Sequence, residues 1–327
     1  MRISVEQAID LIRTGEVVAL PTETVYGLAG DATNPNAVAR IFEVKRRPAD
    51  NPLICHFPDV ASIYPYVMSI PKQTLRLMET FSPGPISFML DLPENSPLFF
   101  ATCGRSQVIV RMPKHEVFLK VLKELGVPLA APSANTSGRL SPTNAEMVEL
   151  DLGCVGIAVV DGGSCSVGVE STIVDARTEG TITILRLGAI GRQELQRVLP
   201  EVEVHYGATP AVVPGSRYRH YAPATPLYPI TEHSLTTLSP GSVLLLVDEQ
   251  REQIYQNCSA EQAVTLRLVS LGRLSDMEEL ARSFYRRLFE LDRLGVSAAY
   301  IIPPDFGHSA LGKALQDRLQ RILTTHG

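Results

Sequence analysis

Cysteine is scarce in this sequence, and positive charge is not in excess. The five cysteines among 327 residues are odd in number and show no CxxC spacing, which argues against a structural zinc site and against a disulfide framework. A net charge of −5 at pH 7 argues against a surface devoted to nucleic acid, although it leaves room for a local basic site. We therefore expect a cytoplasmic protein with another main role.

Long apolar segments and the best-known nucleotide motifs are missing as well. No apolar run approaches the roughly 20 residues that cross a bilayer, and the N-terminus lacks the apolar core of a signal peptide. The sequence contains no GxxxxGKS or GxxxxGKT, no GxGxxG, no GxSxG and no HExxH. If ATP binds, the protein therefore binds it through a motif other than a Walker loop or the GxGxxG dinucleotide-binding motif.

The sequence does contain alternating signals for helices and strands. Ser4 and Gln7 form a predicted capping box, and Asn34-Pro35 opens a second helix. A proline- and tyrosine-rich segment follows residue 206, and predicted strands and helices alternate again beyond it. This pattern predicts an α/β protein with a domain over 1–206, a linker over 207–226 and a smaller parallel-sheet domain over 227–327.

Residues 132–143, PSANTSGRLSPT, directly follow a predicted buried strand over 127–131. A strand that ends in serine, asparagine and glycine exposes hydroxyls, amides and backbone N–H groups to a ligand. An ordinary loop with a helix cap is the alternative. Three other stretches are predicted to meet this one: residues 21–28, 45–48 and 168–172.

Several basic residues occupy positions suited to anions. Lys45 and Arg47, followed by Pro48, could hold a polyphosphate, but cations are also common at solvated helix ends. Arg111 and Arg186 each end an apolar strand, where α/β sheets bind ligands and where a guanidinium fork suits a carboxylate. A surface ion pair explains each of these two arginines equally well.

The neutral candidates each have a structural and a functional interpretation. His56 lies in a predicted strand, where the residues alone favour a buried histidine with a hydrogen-bond partner over a substrate contact. Thr22, Thr24 and Tyr26 alternate after another strand, as the polar face of an extended segment or as the wall of a small-ligand site. Gly27, beside them, has no side chain and therefore permits a close approach to its backbone.

Taken together, the motifs carry more information than each does alone. In chain order they are Pro21–Leu28, Lys45-x-Arg47, Pro83-Gly84-Pro85, Arg111-Met112-Pro113, Ala131–Gly138, Asp161-Gly162-Gly163 and Val169–Asp175. In this combination and order the chain resembles the YrdC-like family. The sequence over 218–223 is similar to the connector of the long, two-domain form of that family, so the resemblance covers essentially the whole chain.

The resemblance implies a fold and a reaction. The expected fold is a YrdC-like twisted, mixed, open sheet with helices, joined to a smaller Rossmann-like parallel-sheet domain. The expected activity is that of an L-threonylcarbamoyladenylate synthase, which makes threonylcarbamoyl-AMP and pyrophosphate from L-threonine, bicarbonate or CO2, and ATP. The product serves N6-threonylcarbamoyladenosine formation in tRNA, which implies downstream transferase proteins as partners and leaves a weak tRNA contact possible.

The resemblance also implies roles for individual residues. ATP contacts are carried over to Lys45, Arg47, Asn51, Ser133, Asn135, Arg186 and the linker residue Tyr218, which would close over the nucleotide. Threonine contacts are carried over to Thr24, His56, Arg111 and Ser171, with Arg111 pairing with the threonine carboxylate. Mg²⁺ is expected to arrive on the phosphate oxygens of ATP, because the sequence shows no obvious carboxylate cage.

Two departures from the family pattern stand out. Ser82 and Ser87 replace the usual tryptophan and threonine around the Pro-Gly-Pro turn, and Gln107 stands where threonine is common. Two other functions stay as alternatives: an RNA-binding module, which the net charge disfavours, and a carbamoyltransferase that uses carbamoyl phosphate, whose relatives usually carry further modules.

Overall fold

The computed structural model describes residues 1–207, 221–257 and 265–324. These residues form two compact units. The first comprises 1–137 and 141–207, and the second comprises 138–140 together with the described residues from 221 onward.

The helices of the first unit begin where the sequence supplies side-chain caps. Ser4 and Gln7 form the predicted capping box, and the Asn34 side chain accepts from the N–H groups of residues 36 and 37. The helices are α1 (Val5–Arg13), α2 (Pro35–Lys45), α3 (Lys72–Phe81), α4 (Glu116–Leu125), α5 (Ala145–Leu152) and α6 (Arg192–Val198).

The strands of the first unit form one mixed sheet of ten strands in the order β10-β9-β8-β4-β5-β3-β6-β2-β1-β7. They are β1 (Val18–Leu20), β2 (Gly27–Asp31), β3 (Ile54–His56), β4 (Ile86–Asp91), β5 (Gln107–Arg111), β6 (Leu129–Ala130), β7 (Ala158–Val159), β8 (Thr172–Asp175), β9 (Thr181–Arg186) and β10 (Glu203–Tyr206). This architecture confirms the expected mixed α/β fold.

The centre of this sheet determines where the site lies. β3 runs parallel to β5 with His56 beside Arg111, and β4 runs parallel to β8. Because side chains alternate along a strand, Cys55 and Val110 enter the main core while Ile54 and Ile109 face the other side. His56 and Arg111 share that other side, together with a small apolar cluster.

The second unit contains a four-stranded parallel sheet in the order β11-β14-β12-β13, as predicted for this part of the chain. Its strands are β11 (Leu227–Pro229), β12 (Val243–Leu246), β13 (Arg267–Ser270) and β14 (Ala299–Ile301), and its helices are α7 (Arg251–Asn257), α8 (Met277–Arg293) and α9 (Ala310–Leu323). Within this unit Arg139 forms an ion pair with Asp292 at 3.2 Å.

Candidate ATP and threonine site

Three of the four stretches predicted to meet, residues 21–28, 45–48 and 132–143, are joined by backbone hydrogen bonds, and the Ser141 hydroxyl donates to Glu170 of the fourth at 2.6 Å. The Tyr26 N–H donates to the Pro142 carbonyl and the Leu28 N–H donates to the Pro132 carbonyl, each at 2.8 Å. Gly27 suits this close approach, because a Cβ there would lie 3.2 Å from the Cβ of Ala131, which is tighter than an ordinary contact. The glycine thus serves the close packing of two protein segments, and the role of the PTETVYG segment as a wall of the site stays a prediction.

Lys45 joins two of the predicted phosphate-binding motifs. Its Nζ, in a side chain that is 1 % exposed, donates to the carbonyl oxygens of Ser133 and Asn135, each at 2.5 Å. The Ser137 N–H returns a bond to the Lys45 carbonyl at 2.8 Å. Burial, and next the charge of Arg47, hold the Lys45 pKa well below its usual value. Lys45 therefore shapes the loop after β6, and its contact with phosphate stays a prediction.

Arg47 supports the loop that leads from α2 to β3. The chain turns at Arg46, which has a left-handed backbone with φ of 50°. Beyond it the Arg47 guanidinium donates to the carbonyl of Asn51 at 2.9 Å, to its side-chain oxygen at 2.8 Å and to the carbonyl of Pro52 at 2.8 Å. Arg47 and Asn51, both predicted to contact ATP, are therefore held together.

Asp151 is a residue that the sequence analysis missed. Its carboxylate accepts from the Thr136 N–H at 2.8 Å and from the Thr136 hydroxyl at 2.9 Å. It also acts electrostatically on Lys45, whose pKa it raises against the larger effect of burial. Asp151 lies on α5, fifteen residues from Thr136, and no local motif identified it.

Arg186 lies beside Ser171, a residue that is predicted to contact the substrate L-threonine. Its guanidinium donates to the carbonyl of Ser171 at 3.0 Å and to the Ser171 hydroxyl at 2.9 Å. That hydroxyl is also 2.8 Å from the hydroxyl of Ser87. Ser87 therefore keeps a hydroxyl in the site where the family usually has threonine. Arg186, which is predicted to bind the nucleotide, is thus in direct contact with Ser171, which is predicted to bind L-threonine.

His56 is neutral around pH 7. The side chain is 2 % exposed, its ring centroid is 5.1 Å from that of Phe118, and its Nδ1 has no hydrogen-bond partner among the described residues. Burial, and next the positive charge of Arg111, lower the His56 pKa to about 3. We therefore expect His56 to act through a neutral ring nitrogen.

Glu23 is the second residue that the sequence analysis did not single out. Its Oε1 lies 2.9 Å from Nη2 of Arg111, and both side chains are at most 5 % exposed. The neighbouring Thr22 and Thr24 hydroxyls are 2.9 Å apart, so Thr24 has its own partner. Glu23 lies inside the PTETVYG motif, and its burial beside Arg111 depends on contacts between distant segments.

Several other expectations can be compared with the described residues. Within them, no group of three or more His, Cys, Asp or Glu side chains is placed to hold a metal ion. No helix in the described part of the chain is both long enough and apolar enough to cross a membrane. Tyr218 lies outside the described residues. The Gln107 side chain, at the start of β5 and away from Arg111 at its end, bonds to the Ser106 hydroxyl at 2.8 Å.

The first unit also has a cavity of about 710 Å³ between the start of α3 and the β8–β9 turn. It is lined by Lys72, Arg76 and Arg177 among others, and none of the described site residues lines it. We therefore place the functional site on the face shared by His56 and Arg111, not in this cavity.

Known proteins resemble this chain over nearly its whole length. A Threonylcarbamoyl-AMP synthase of Bacillus subtilis is 35% identical, covering 97% of this chain and 92% of its own, and one of Pyrococcus abyssi is 35% identical over 96% and 92%. The crystal structure of P. abyssi Sua5 complexed with L-threonine superposes with a TM-score of 0.83 at 33% identity, covering 98% of this chain and 96% of that chain.

The family profiles divide the chain in two. The Sua5/YciO/YrdC profile, described as "Telomere recombination", matches residues 10–188, and the profile described as "Threonylcarbamoyl-AMP synthase, C-terminal domain" matches residues 190–321. The structure of E. coli YciO, at 20% identity and a TM-score of 0.50, shares the fold of the first part. The chain therefore belongs to the Sua5/YciO/YrdC family, in its two-domain form.

Proposed function

We propose that this protein makes L-threonylcarbamoyl-AMP and pyrophosphate from L-threonine, bicarbonate or CO2, and ATP, for tRNA modification. The observation that carries the proposal is the full-length similarity to Sua5 of P. abyssi, whose structure was solved with L-threonine. The buried group of His56, Arg111 and Ser171 supports it, since it offers a cation, an imidazole and a hydroxyl to an amino acid.

The reaction requires little covalent chemistry from the protein's own side chains. A threonine carbamate attacks the α-phosphate of ATP, and pyrophosphate leaves, so positioning and charge neutralisation dominate catalysis. Arg111 would pair with the threonine carboxylate, with Thr24, His56 and Ser171 around the rest of the amino acid. The ATP phosphates would be bound by Ser133 and Asn135, on the loop that Lys45 holds. Arg47 and Asn51, which are hydrogen-bonded to each other, would contact the phosphates as well.

Two further features of the proposal concern the surroundings of the reaction. Mg²⁺ would enter on the phosphate oxygens of ATP, which is how proteins commonly bind this ion when they offer few carboxylates. A cytoplasmic site of action agrees with four free cysteines among the described residues, Cys55, Cys103, Cys154 and Cys165.

The test is a pyrophosphate-release assay with ATP, Mg²⁺, L-threonine and bicarbonate. We expect release that requires both threonine and bicarbonate. Pyrophosphate release that does not depend on threonine, or does not depend on bicarbonate, would overturn the proposal. Two further arms separate the alternatives: carbamoyl phosphate in place of threonine and bicarbonate, which would support a carbamoyltransferase, and salt-dependent tRNA binding without ATP chemistry, which would support an RNA-binding module.

A further inference from the structure

The Glu23–Arg111 pair has unused hydrogen-bonding capacity. Although Glu23 Oε1 and Arg111 Nη2 are 2.9 Å apart, their orientation does not make a hydrogen bond. Both Glu23 carboxylate oxygens, and Nε and Nη2 of Arg111, have no hydrogen-bond partner among the described residues. Each of the two residues is 4 % exposed.

Burial of this kind is costly unless something else completes the bonding. A buried ion pair recovers the cost of leaving water only when its remaining lone pairs and protons are also satisfied. The capacity left on this pair is of two kinds: acceptor sites on Glu23 and donor sites on Arg111. A ligand that satisfies both must carry a cationic donor and an anionic acceptor close together.

The position of Glu23 is fixed by its neighbours. The Val167 N–H donates to the Glu23 carbonyl at 2.7 Å, and the Thr22 hydroxyl accepts from the Thr24 N–H at 3.1 Å. Burial raises the pKa of the nearby Cys165 thiol, and the charge of Glu23 raises it further. Cys165 is therefore a neutral neighbour that cannot neutralise the Glu23 carboxylate.

We propose that Glu23 binds the α-ammonium group of the amino-acid substrate while Arg111 binds its carboxylate. This inference rests on the proposed function, because it deepens the same threonine site. The zwitterion carries both charges on one Cα, and the protein presents the opposite charges side by side in a buried place. Glu23 is thus a substrate-binding residue that selects α-amino acids against acids without an amino group.

The test compares two ligands that differ only in the ammonium group. Binding constants for L-threonine and for (R)-3-hydroxybutanoate, which keeps the carboxylate and the hydroxyl, are measured on the wild type, on Glu23→Gln and on the exposed control Glu79→Gln. We expect Glu23→Gln to weaken threonine binding by roughly 10- to 100-fold and to change 3-hydroxybutanoate binding by less than about threefold. Glu79→Gln is expected to bind both ligands like the wild type.

An equal loss for both ligands would overturn the inference, because Glu23 would then serve only to hold Arg111. An unchanged threonine affinity in Glu23→Gln would overturn it too. If that variant does not fold, the wild type alone decides: 3-hydroxybutanoate must bind at least about tenfold more weakly than threonine, and equal binding contradicts the inference. Failure of the proposed function is distinct, since it appears as wild-type protein that binds threonine but releases no threonine-dependent pyrophosphate.

Discussion

The two halves of the candidate site are built in different ways. The amino-acid half, consisting of Thr24, His56, Arg111 and Ser171, is fully buried on or beside central strands. The phosphate half comprises Lys45 at the end of α2 together with the loop residues Arg47, Asn51, Ser133 and Asn135. The Lys45 and Arg47 side chains hold these loops by bonding to backbone carbonyls. In the proposed site a small ligand would thus bind beside the central strands, and a long, charged ligand would bind beside loops that the Lys45 and Arg47 side chains hold in shape.

The largest effect is expected from Lys45→Met in the phosphate half. The variant leaves the Ser133 and Asn135 carbonyls without their buried donor and removes a charge, so we expect pyrophosphate release to fall by about 10²- to 10³-fold. The free energy of unfolding should fall by roughly 1–3 kcal/mol as well. Pyrophosphate assays and urea titration check this, with the exposed Lys72→Met as control. A wild-type rate would show that Lys45 does not organise this half.

Arg111→Lys is the matching change in the amino-acid half. Lysine keeps the charge but not the two-pronged geometry that suits a carboxylate, so we expect the KM for threonine to rise by roughly 10- to 100-fold. The KM for ATP should stay within about threefold, because Arg111 is assigned only to the amino acid. Steady-state kinetics with each substrate varied in turn check the prediction, and a larger rise for ATP than for threonine would refute it.

The buried His56 predicts a pH dependence of stability. Its folded pKa of about 3 lies below the unfolded value of about 6.5, so only the unfolded chain binds the proton between these values. Stability contributed by the neutral ring is therefore complete above pH 6.5 and decreases as the pH falls, by roughly 2 kcal/mol between pH 6.5 and pH 5. Urea titrations at these two values, on wild type and His56→Gln, check it. The same decrease in both proteins would assign the effect to other groups.

The smallest effect is expected at Gln107, where the family commonly has threonine. The side chain lies at the far end of β5 from Arg111 and bonds to Ser106. We expect Gln107→Thr to change the KM for threonine by less than about twofold, within the range of surface substitutions. It is also a control for Arg111→Lys on the same strand. A tenfold change would mean that the amino-acid half extends along the whole strand.

Much of the fold could be predicted from the sequence, because local signals and the final structure agree. The Ser4–Gln7 box and the Asn34 cap start helices as expected, and the sheet of the second unit is parallel as its strand–helix alternation indicates. The sequence does not predict β2, because GLAGD has no strand-like periodicity. The short strand β10 was missed next to the linker.

The site was only partly predictable for a different reason. Motif spacing brought together the segments that do meet, yet it could not show which atoms Lys45 contacts. Asp151 and Glu23 were missed because their partners, Thr136 and Arg111, lie 15 and 88 residues away in sequence. Such pairs exist only once the sheet and loops have assembled, and no local pattern encodes them.

The most direct test of the two-half site is the equilibrium binding of each ligand to one variant from each half. Threonine and ATP affinities are measured separately for Lys45→Met and Arg111→Lys, beside the wild type. We predict that Arg111→Lys loses threonine affinity and keeps ATP affinity, and that Lys45→Met loses ATP affinity and keeps threonine affinity. Loss of both affinities in both variants, or the reverse pairing, would contradict the division of the site.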